Sequence, residues 1–374
     1  MTESFIPVCE PLLLGRELEY VSEAVSKGWI SSSGSFVNKF EARFSEHLGV
    51  RHSVTVSNGT AALHLALVAA GVGPGDEVIV PTFTMIASAA AVCYAGATPV
   101  FVDCERDTFN LDVQGVEAKL TERTRAIMPV HIYGLPCDMD PLLDLGRRHG
   151  LVVVEDAAEA IGSLYKGRAC GALGELGCFS FFANKVITTG EGGMVVTNDD
   201  ALAEKLRYYK NLCFPLGGPR RYVHEHIGFN YRMPNTSAAI GLAQLERVED
   251  YVTRRRENAR RYNERLAGQR GITIPVDRAW ARNSFWMYSI LIEDDFGLPR
   301  DRVMALLGER GIETRSFFVP MHQQRGLAAY GCDVSGSYPN AEHVSPRGLY
   351  LPSGSGLSEE QIERVCRELI ALRP

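Results

Sequence analysis

The run Leu151-Val152-Val153-Val154-Glu155-Asp156-Ala157-Ala158 is an apolar, β-branched segment that stops at two carboxylates followed by two small residues. It reads as a buried strand whose end delivers an acid to the edge of a sheet. Twenty-nine positions after Asp156 stands Lys185, which closes Phe181-Phe182-Ala183-Asn184-Lys185 and precedes the glycine-rich run Gly190-Glu191-Gly192-Gly193. A lysine in a partly desolvated pocket can form a Schiff base with an aldehyde, and a carboxylate at a strand end can keep a pyridine nitrogen protonated. Together the two residues point to pyridoxal phosphate.

Around this stretch, short β-branched runs alternate with helix-length patterns at roughly 20 to 30 residues, the texture of a largely parallel sheet in an α/β architecture. The predicted strands are His52 to Val56, Glu77 to Val80, Thr98 to Val102, Ala126 to Val130, Leu151 to Val154, Cys178 to Phe182 and Met194 to Thr197. Helical patterns between them include Thr60 to Ala70, Ile86 to Tyr94 and Pro141 to His149. After Pro234 the texture changes: Asn235-Thr236-Ser237 can cap one long helix through Ile240, Leu242, Leu245, Val248 and Tyr251 that leads out of the sheet. Alternating segments around Trp286 to Ile292, a helix near Arg300 to Glu309, a strand near Thr314 to Phe318 and a helix from Ser358 to Leu372 suggest a smaller α+β domain. The expected division is 1–250 for the large domain and 251–374 for the small one.

The chain has 374 residues, of which 45% are hydrophobic, enough for a large core. A formal charge of −6 leaves no basic footprint for nucleic acid, and Arg254-Arg255-Arg256 among acidic neighbours reads as a solvated helix face. Nine scattered cysteines without a Cys-x-x-Cys pair read as reduced thiols. There is no basic leader and no 18-residue apolar run, so a cytoplasmic, soluble protein without a membrane partner is expected. His224 and His226 form a His-x-His pair with no third ligand nearby in sequence, so no metal site is expected.

Ser57-Asn58-Gly59-Thr60-Ala61-Ala62-Leu63 follows a strand and opens a helix, so free N–H groups at Gly59 and Thr60 offer a phosphate site. The same pattern also serves as a plain N-cap. Asp156 has a similar alternative, since strand-end carboxylates often cap the next helix. Lys185 taken singly could be a surface lysine. It is the occurrence of all three along one sheet that carries the reading.

At this point the chain resembles the DegT/DnrJ/EryC1/StrS sugar aminotransferases, pyridoxal-phosphate enzymes of fold type I. The likeness runs through Gly28-Trp29-Ile30-Ser31-Ser32, Ser57 to Leu67, Gly73-Pro74-Gly75-Asp76-Glu77-Val78, Pro129-Val130-His131-Ile132-Tyr133-Gly134 and Glu155-Asp156-Ala157-Ala158-Glu159-Ala160. It continues in Ser180 to Lys185, Gly190 to Gly193 and Gly228-Phe229-Asn230-Tyr231-Arg232-Met233. The fold it implies has a mostly parallel central sheet flanked by helices and a smaller C-terminal α+β domain.

The resemblance implies that Lys185 carries the cofactor and moves the proton at the substrate carbon, while Asp156 holds the pyridine nitrogen. It implies that Gly59, Thr60 and Ser180 bind the phosphate, that Glu159 lies near the ring's 3-hydroxyl, and that Asn230 reaches the cofactor phosphate of a neighbouring subunit. A homodimer, and possible pairing into tetramers, follows from that last role. Met85 stands where many relatives carry an aromatic residue over the ring; it can cover the ring through its sulfur or be core filler. Phe83, two positions away, need not face the same way.

Arg232, Tyr288, Arg315 and His322 are candidates for the glutamate carboxylate or the sugar-nucleotide diphosphate, since arginine binds both anions bidentately. Trp286 reads as core. The likeness in Lys185 to Gly193, Gln244 to Val248 and Phe285 to Tyr288 implies transfer of an amino group from L-glutamate to GDP-4-keto-6-deoxy-D-mannose, with a UDP- or dTDP-linked keto sugar as the alternative. Two further alternatives are a sugar dehydratase on this fold, against which Lys185 argues because relatives with that activity have histidine there, and a non-catalytic regulator.

Overall fold

The computed structural model describes residues 4–215 and 222–374. Seven strands form the central sheet: β1 (His52–Val56), β2 (Glu77–Pro81), β3 (Thr98–Val102), β4 (Thr124–Ile127), β5 (Val152–Asp156), β6 (Leu176–Ser180) and β7 (Gly193–Thr197). Their spatial order is β1-β7-β6-β5-β4-β2-β3. The pairs from β6 through β5, β4 and β2 to β3 are parallel, while β7 runs antiparallel to both neighbours. All seven predicted strands are present; β4 and β6 start two residues earlier than expected, where Thr124 and Leu176 already pair with their neighbours.

β5 is held by the residue before Asp156. Glu155 is fully buried and accepts from the backbone N–H of Gly171 (2.7 Å), Leu173 (2.6 Å) and Gly174 (2.7 Å). Its fourth partner is His131 Nε2 at 2.9 Å. His131 Nδ1 accepts from Cys137 N at 3.1 Å, which assigns the imidazole proton to Nε2 and makes His131 a donor to Glu155. His131 N also donates to Asp156 O at 3.1 Å, so this buried anion and its donors fix the strand end that presents Asp156.

A second sheet, β8 (Ile272–Thr273), β9 (Tyr288–Ile292), β10 (Arg315–Ser316) and β11 (Gly348–Leu351), has the order β8-β9-β11-β10. Its core includes Ile290, Leu349, Val303 and Ile362, the last two from the Arg300–Glu309 and Glu359–Ile370 helices. Ile6 joins that same core and bridges in parallel to Ile312, whereas Val8, two residues on, packs in the core of the large sheet.

The long helix expected from Asn235 is two helices, Asn235–Leu245 and Val248–Leu266. Arg247 leaves helical geometry (φ −121°, ψ 12°) and its guanidinium bonds Leu14 O and Asp250. No glycine or proline marks that break. Asn235 does not cap its own helix either. Its Oδ1 accepts from Phe36 N at 2.9 Å and its Nδ2 donates to Trp29 O at 2.6 Å, so it caps the distant Ser35–Leu48 helix. Gly34 is required there because a Cβ would lie 1.9 Å from Asn235 Cγ. Asn235→Ala strands a buried N–H and removes this cap, with an expected loss of about 2 kcal/mol. Urea unfolding of the purified protein should show a lower midpoint at unchanged slope.

The arginine run is also not a uniformly solvated face. Arg254 pairs with Asp250 on the surface, but Arg255 is 3% exposed and donates to Trp286 O (2.6 Å), Ser353 O (3.0 Å) and Ser355 Oγ (3.1 Å). Arg256 bonds Asn283 O. Three consecutive helical positions span too wide an arc to share one face, and the middle one points inward. No helix among the described residues is long and apolar enough to cross a membrane.

Candidate active site

The carboxyl ends of β5 and β6 and the start of the Gly59–Ala69 helix open onto a cavity of about 610 Å³. Lys185, Asp156, Glu159, Gly59, Thr60, Ser180, Met85 and Arg315 line it, as do Trp286 and Tyr350 from the C-terminal sheet. Lys185 is partly buried, with Nζ 3.8 Å from Glu159 Oε1 and 3.6 Å from the centroid of the Trp286 ring. Burial lowers its pKa from the ordinary lysine value, against the nearby charges of Glu159 and Asp156.

Asp156 is held at both oxygens: Ser88 Oγ donates to Oδ2 at 2.8 Å and Ala158 N to Oδ1 at 3.2 Å. Burial still raises its pKa above the usual carboxylate range. Glu159 Oε2 accepts from Tyr133 N at 2.7 Å, and burial pushes its carboxyl up to about 7. Tyr133 has a left-handed backbone (φ 54°), and Gly134 beside it (φ 99°) lies so close to Ser284 that a Cβ would meet Oγ at 2.6 Å.

The helix start offers unpaired backbone donors that suit an anion. Asn58 Oδ1 accepts from Ala61 N at 2.8 Å, leaving the first-turn N–H groups of Gly59 and Thr60 toward the cavity. A Cβ at residue 59 would stand 2.8 Å from Ser180 Cβ, so glycine is what brings this turn against the Ser180 hydroxyl.

These residues fit pyridoxal phosphate by charge as well as by shape. Two buried acids, Asp156 and Glu159, lie on the same wall as the Lys185 amine. A pyridine nitrogen brought against Asp156 would be held protonated by that carboxylate.

Residues 13–370 match the DegT/DnrJ/EryC1/StrS aminotransferase family. The chain belongs to this family. It is 49% identical to the GDP-perosamine synthase of Caulobacter vibrioides, over 97% of each chain. It is 45% identical to the GDP-perosamine synthase of Escherichia coli O157:H7, over 98% of each. Among solved structures, S. venezuelae DesV superposes with a TM-score of 0.91 at 37% identity, covering 98% of both chains. The protein is a pyridoxal-phosphate-dependent sugar aminotransferase with the expected fold.

Of the residues expected to hold the cofactor, Gly59, Thr60, Met85, Asp156, Glu159, Ser180 and Lys185 line this cavity, whereas Asn230 lies outside it in this subunit, exposed, accepting from Arg232 Nε at 2.9 Å. Met85 is not core filler; it lines the cavity and is 46% exposed, whereas Phe83 is buried among Phe109, Tyr133 and Phe317. Of the four candidate substrate residues, only Arg315 lines the cavity.

Tyr288 is in the C-terminal core, stacked on Tyr262 at 4.6 Å with its hydroxyl on Asn263, because the strand alternation of β9 turns it away. His322 is buried beneath the site, its Nδ1 on Thr82 Oγ1 at 2.7 Å and its ring against Tyr338. Arg232 is tied to Asn230 and Asn211. Trp286 is the opposite correction: it is buried as expected, yet it presents a ring face to Lys185. Ser88 and the Tyr133 amide were not anticipated. Nothing in Ala87-Ser88-Ala89 signals a partner for Asp156, and a backbone donor carries no sequence signal at all.

Proposed function

We propose that the protein transfers the amino group of L-glutamate to C4 of GDP-4-keto-6-deoxy-D-mannose, giving GDP-perosamine and 2-oxoglutarate. The observation that carries the acceptor is the near-full-length identity to GDP-perosamine synthases, in a chain whose cavity retains the lysine, both acids and the Gly59-Thr60 helix start.

Bound in this cavity, pyridoxal phosphate supplies the electron sink that lets the amino-bearing carbon lose or gain a proton. Lys185 anchors the cofactor and carries that proton. Its position inside the cavity, where burial lowers its pKa, suits a base that must be neutral part of the time. Asp156, fixed by Ser88, keeps the ring nitrogen protonated. The Gly59 and Thr60 amides and the Ser180 hydroxyl hold the phosphate. Arg315, on the cavity wall and only loosely tied to Glu313 at 3.3 Å, is free to grip a carboxylate or diphosphate.

The active unit in this reading is a homodimer. Met85, Tyr94 and Phe182 line the cavity yet are 46%, 60% and 45% exposed in a single subunit, which is the surface a second copy would cover. Asn230, exposed in its own subunit, is then placed to reach the neighbour's phosphate.

The test is an absorbance spectrum of the protein loaded with pyridoxal phosphate, before and after glutamate, followed by product mass analysis with GDP-, UDP- and dTDP-linked 4-keto-6-deoxy sugars. A glutamate-dependent spectral change with amination of the GDP sugar alone is expected. Amination of a UDP or dTDP sugar instead would keep the reaction and overturn the acceptor.

A further inference from the structure

Lys185 makes no close ion pair in the cavity. Its Nζ is 3.8 Å from Glu159 Oε1, beyond the roughly 2.7–3.2 Å of an N–H···O hydrogen bond, and its nearest surface is the face of the Trp286 indole, 3.6 Å from the ring centroid. That indole is immobilised from several sides. Its Nε1 donates to Asn184 O at 2.8 Å, one residue before Lys185. Its carbonyl accepts from the buried Arg255, which also holds Ser353 O. The turn before it is locked by Asn283 Oδ1 accepting from Phe285 N at 2.7 Å, with Phe285 in the left-handed region (φ 49°). The ring itself stacks near Tyr133 at 6.4 Å and 27°.

We propose that Trp286 is a positioning residue that receives the ε-ammonium of Lys185 during the part of each cycle in which the lysine is released from the cofactor. This inference rests on the transamination reading above. On exchange with the amino donor, the bond from Lys185 to the cofactor carbon would be replaced by one from the donor's nitrogen, and the two protons given up by the donor's ammonium would convert the departing lysine nitrogen, singly protonated while bound, to an ammonium. The freed amine then stays within reach of the substrate carbon and must later return.

An indole face suits that intermediate station. It attracts a cation through the ring quadrupole without a directional lone pair that would lock the amine in place. The fixed tryptophan holds the amine laterally while Glu159 balances part of its charge. The other titratable groups acting on Lys185 are Asp156 and Cys9.

Two measurements test the assignment. In cofactor-free protein, an ammonium against the ring should alter tryptophan emission; Lys185→Ala should therefore change the emission of the wild type but not of Trp286→Phe, although Trp29 and Trp280 remain in both. In loaded enzyme, Trp286→Leu should lower kcat about tenfold with the KM for glutamate within about twofold, whereas Trp286→Phe, which keeps a ring face, should stay within about threefold of wild type.

Emission indifferent to Lys185→Ala overturns the contact. Equal losses in the Phe and Leu variants overturn the parking role, since they would assign the residue to its Nε1 bond with Asn184. The emission experiment needs neither cofactor nor substrate, so its failure is distinguishable from failure of the transamination reading. Wild-type protein with no spectral response to glutamate would bring down both.

Discussion

Lys185→Ala should turn over at least about 10⁴-fold more slowly than wild type, because it removes both the covalent anchor and the proton carrier. The described cavity wall holds no second lysine; its other fixed cation, Arg315, sits at the exposed rim and cannot give up a proton at neutral pH. The fold should survive the change. Lys185 Nζ makes no close hydrogen bond, and Glu159, already raised to about 7 by burial, can take up a proton once the amine is gone. Glutamate-dependent formation of 2-oxoglutarate measures the loss, and a melting curve within a few degrees of wild type excludes unfolding as its cause. Sustained multiple turnover by this variant would remove Lys185 from the mechanism.

Asp156→Asn should lower kcat about 10³-fold while preserving shape, the range expected when a buried charge partner worth about 3–5 kcal/mol is lost. Asparagine can still accept from Ser88, so packing and hydrogen bonding change little and the missing quantity is charge. A pH signature accompanies it. Burial raises the Asp156 carboxyl above its ordinary value, so in wild type the carboxylate is protonated as pH falls through that raised value, and its attraction for a cationic ring nitrogen disappears. Cofactor retention should therefore weaken toward acid in the wild type more steeply than in Asp156→Asn. Glu159, pushed up to about 7, titrates as well, which makes the difference between the two proteins the informative quantity. Equal acid dependence in both would separate Asp156 from the ring nitrogen.

The central sheet was legible because its strands are dense β-branched runs between turns, and their extent needed no distant information: β1 and β3 match their predicted bounds residue for residue. Lys185, Asp156 and the Gly59-Thr60 turn were legible for a related reason, each lying at the end of such a strand or opening the helix after one. What could not be read depends on partners remote in sequence. Asn235 looks like the cap of its own helix but serves the Ser35–Leu48 helix, accepting from Phe36 N, 199 residues earlier in the chain. Arg255 sits in a basic run and is drawn inward by carbonyls of residues 286 and 353. Tyr288 and His322 have side chains suited to substrate, but the pleat of β9 and the contact with Thr82 bury them. Trp286 was legible as buried, while the ligand-facing side of its ring was not.

The strap formed by residues 6 to 9 has a consequence for synthesis. Ile6 pairs with Ile312, Val8 N bonds Glu313 Oε2, Val8 O accepts from Ser353 N, and Cys9 Sγ reaches Asn184 O beside the active lysine. A ribosome adding about 5–20 residues per second needs on the order of tens of seconds between making the two halves of these contacts. Until residues 312, 313 and 353 are made, Ile6 and Val8 lack these partners. The cavity wall that carries Trp286 and Tyr350 is likewise completed only once the C-terminal sheet has been made.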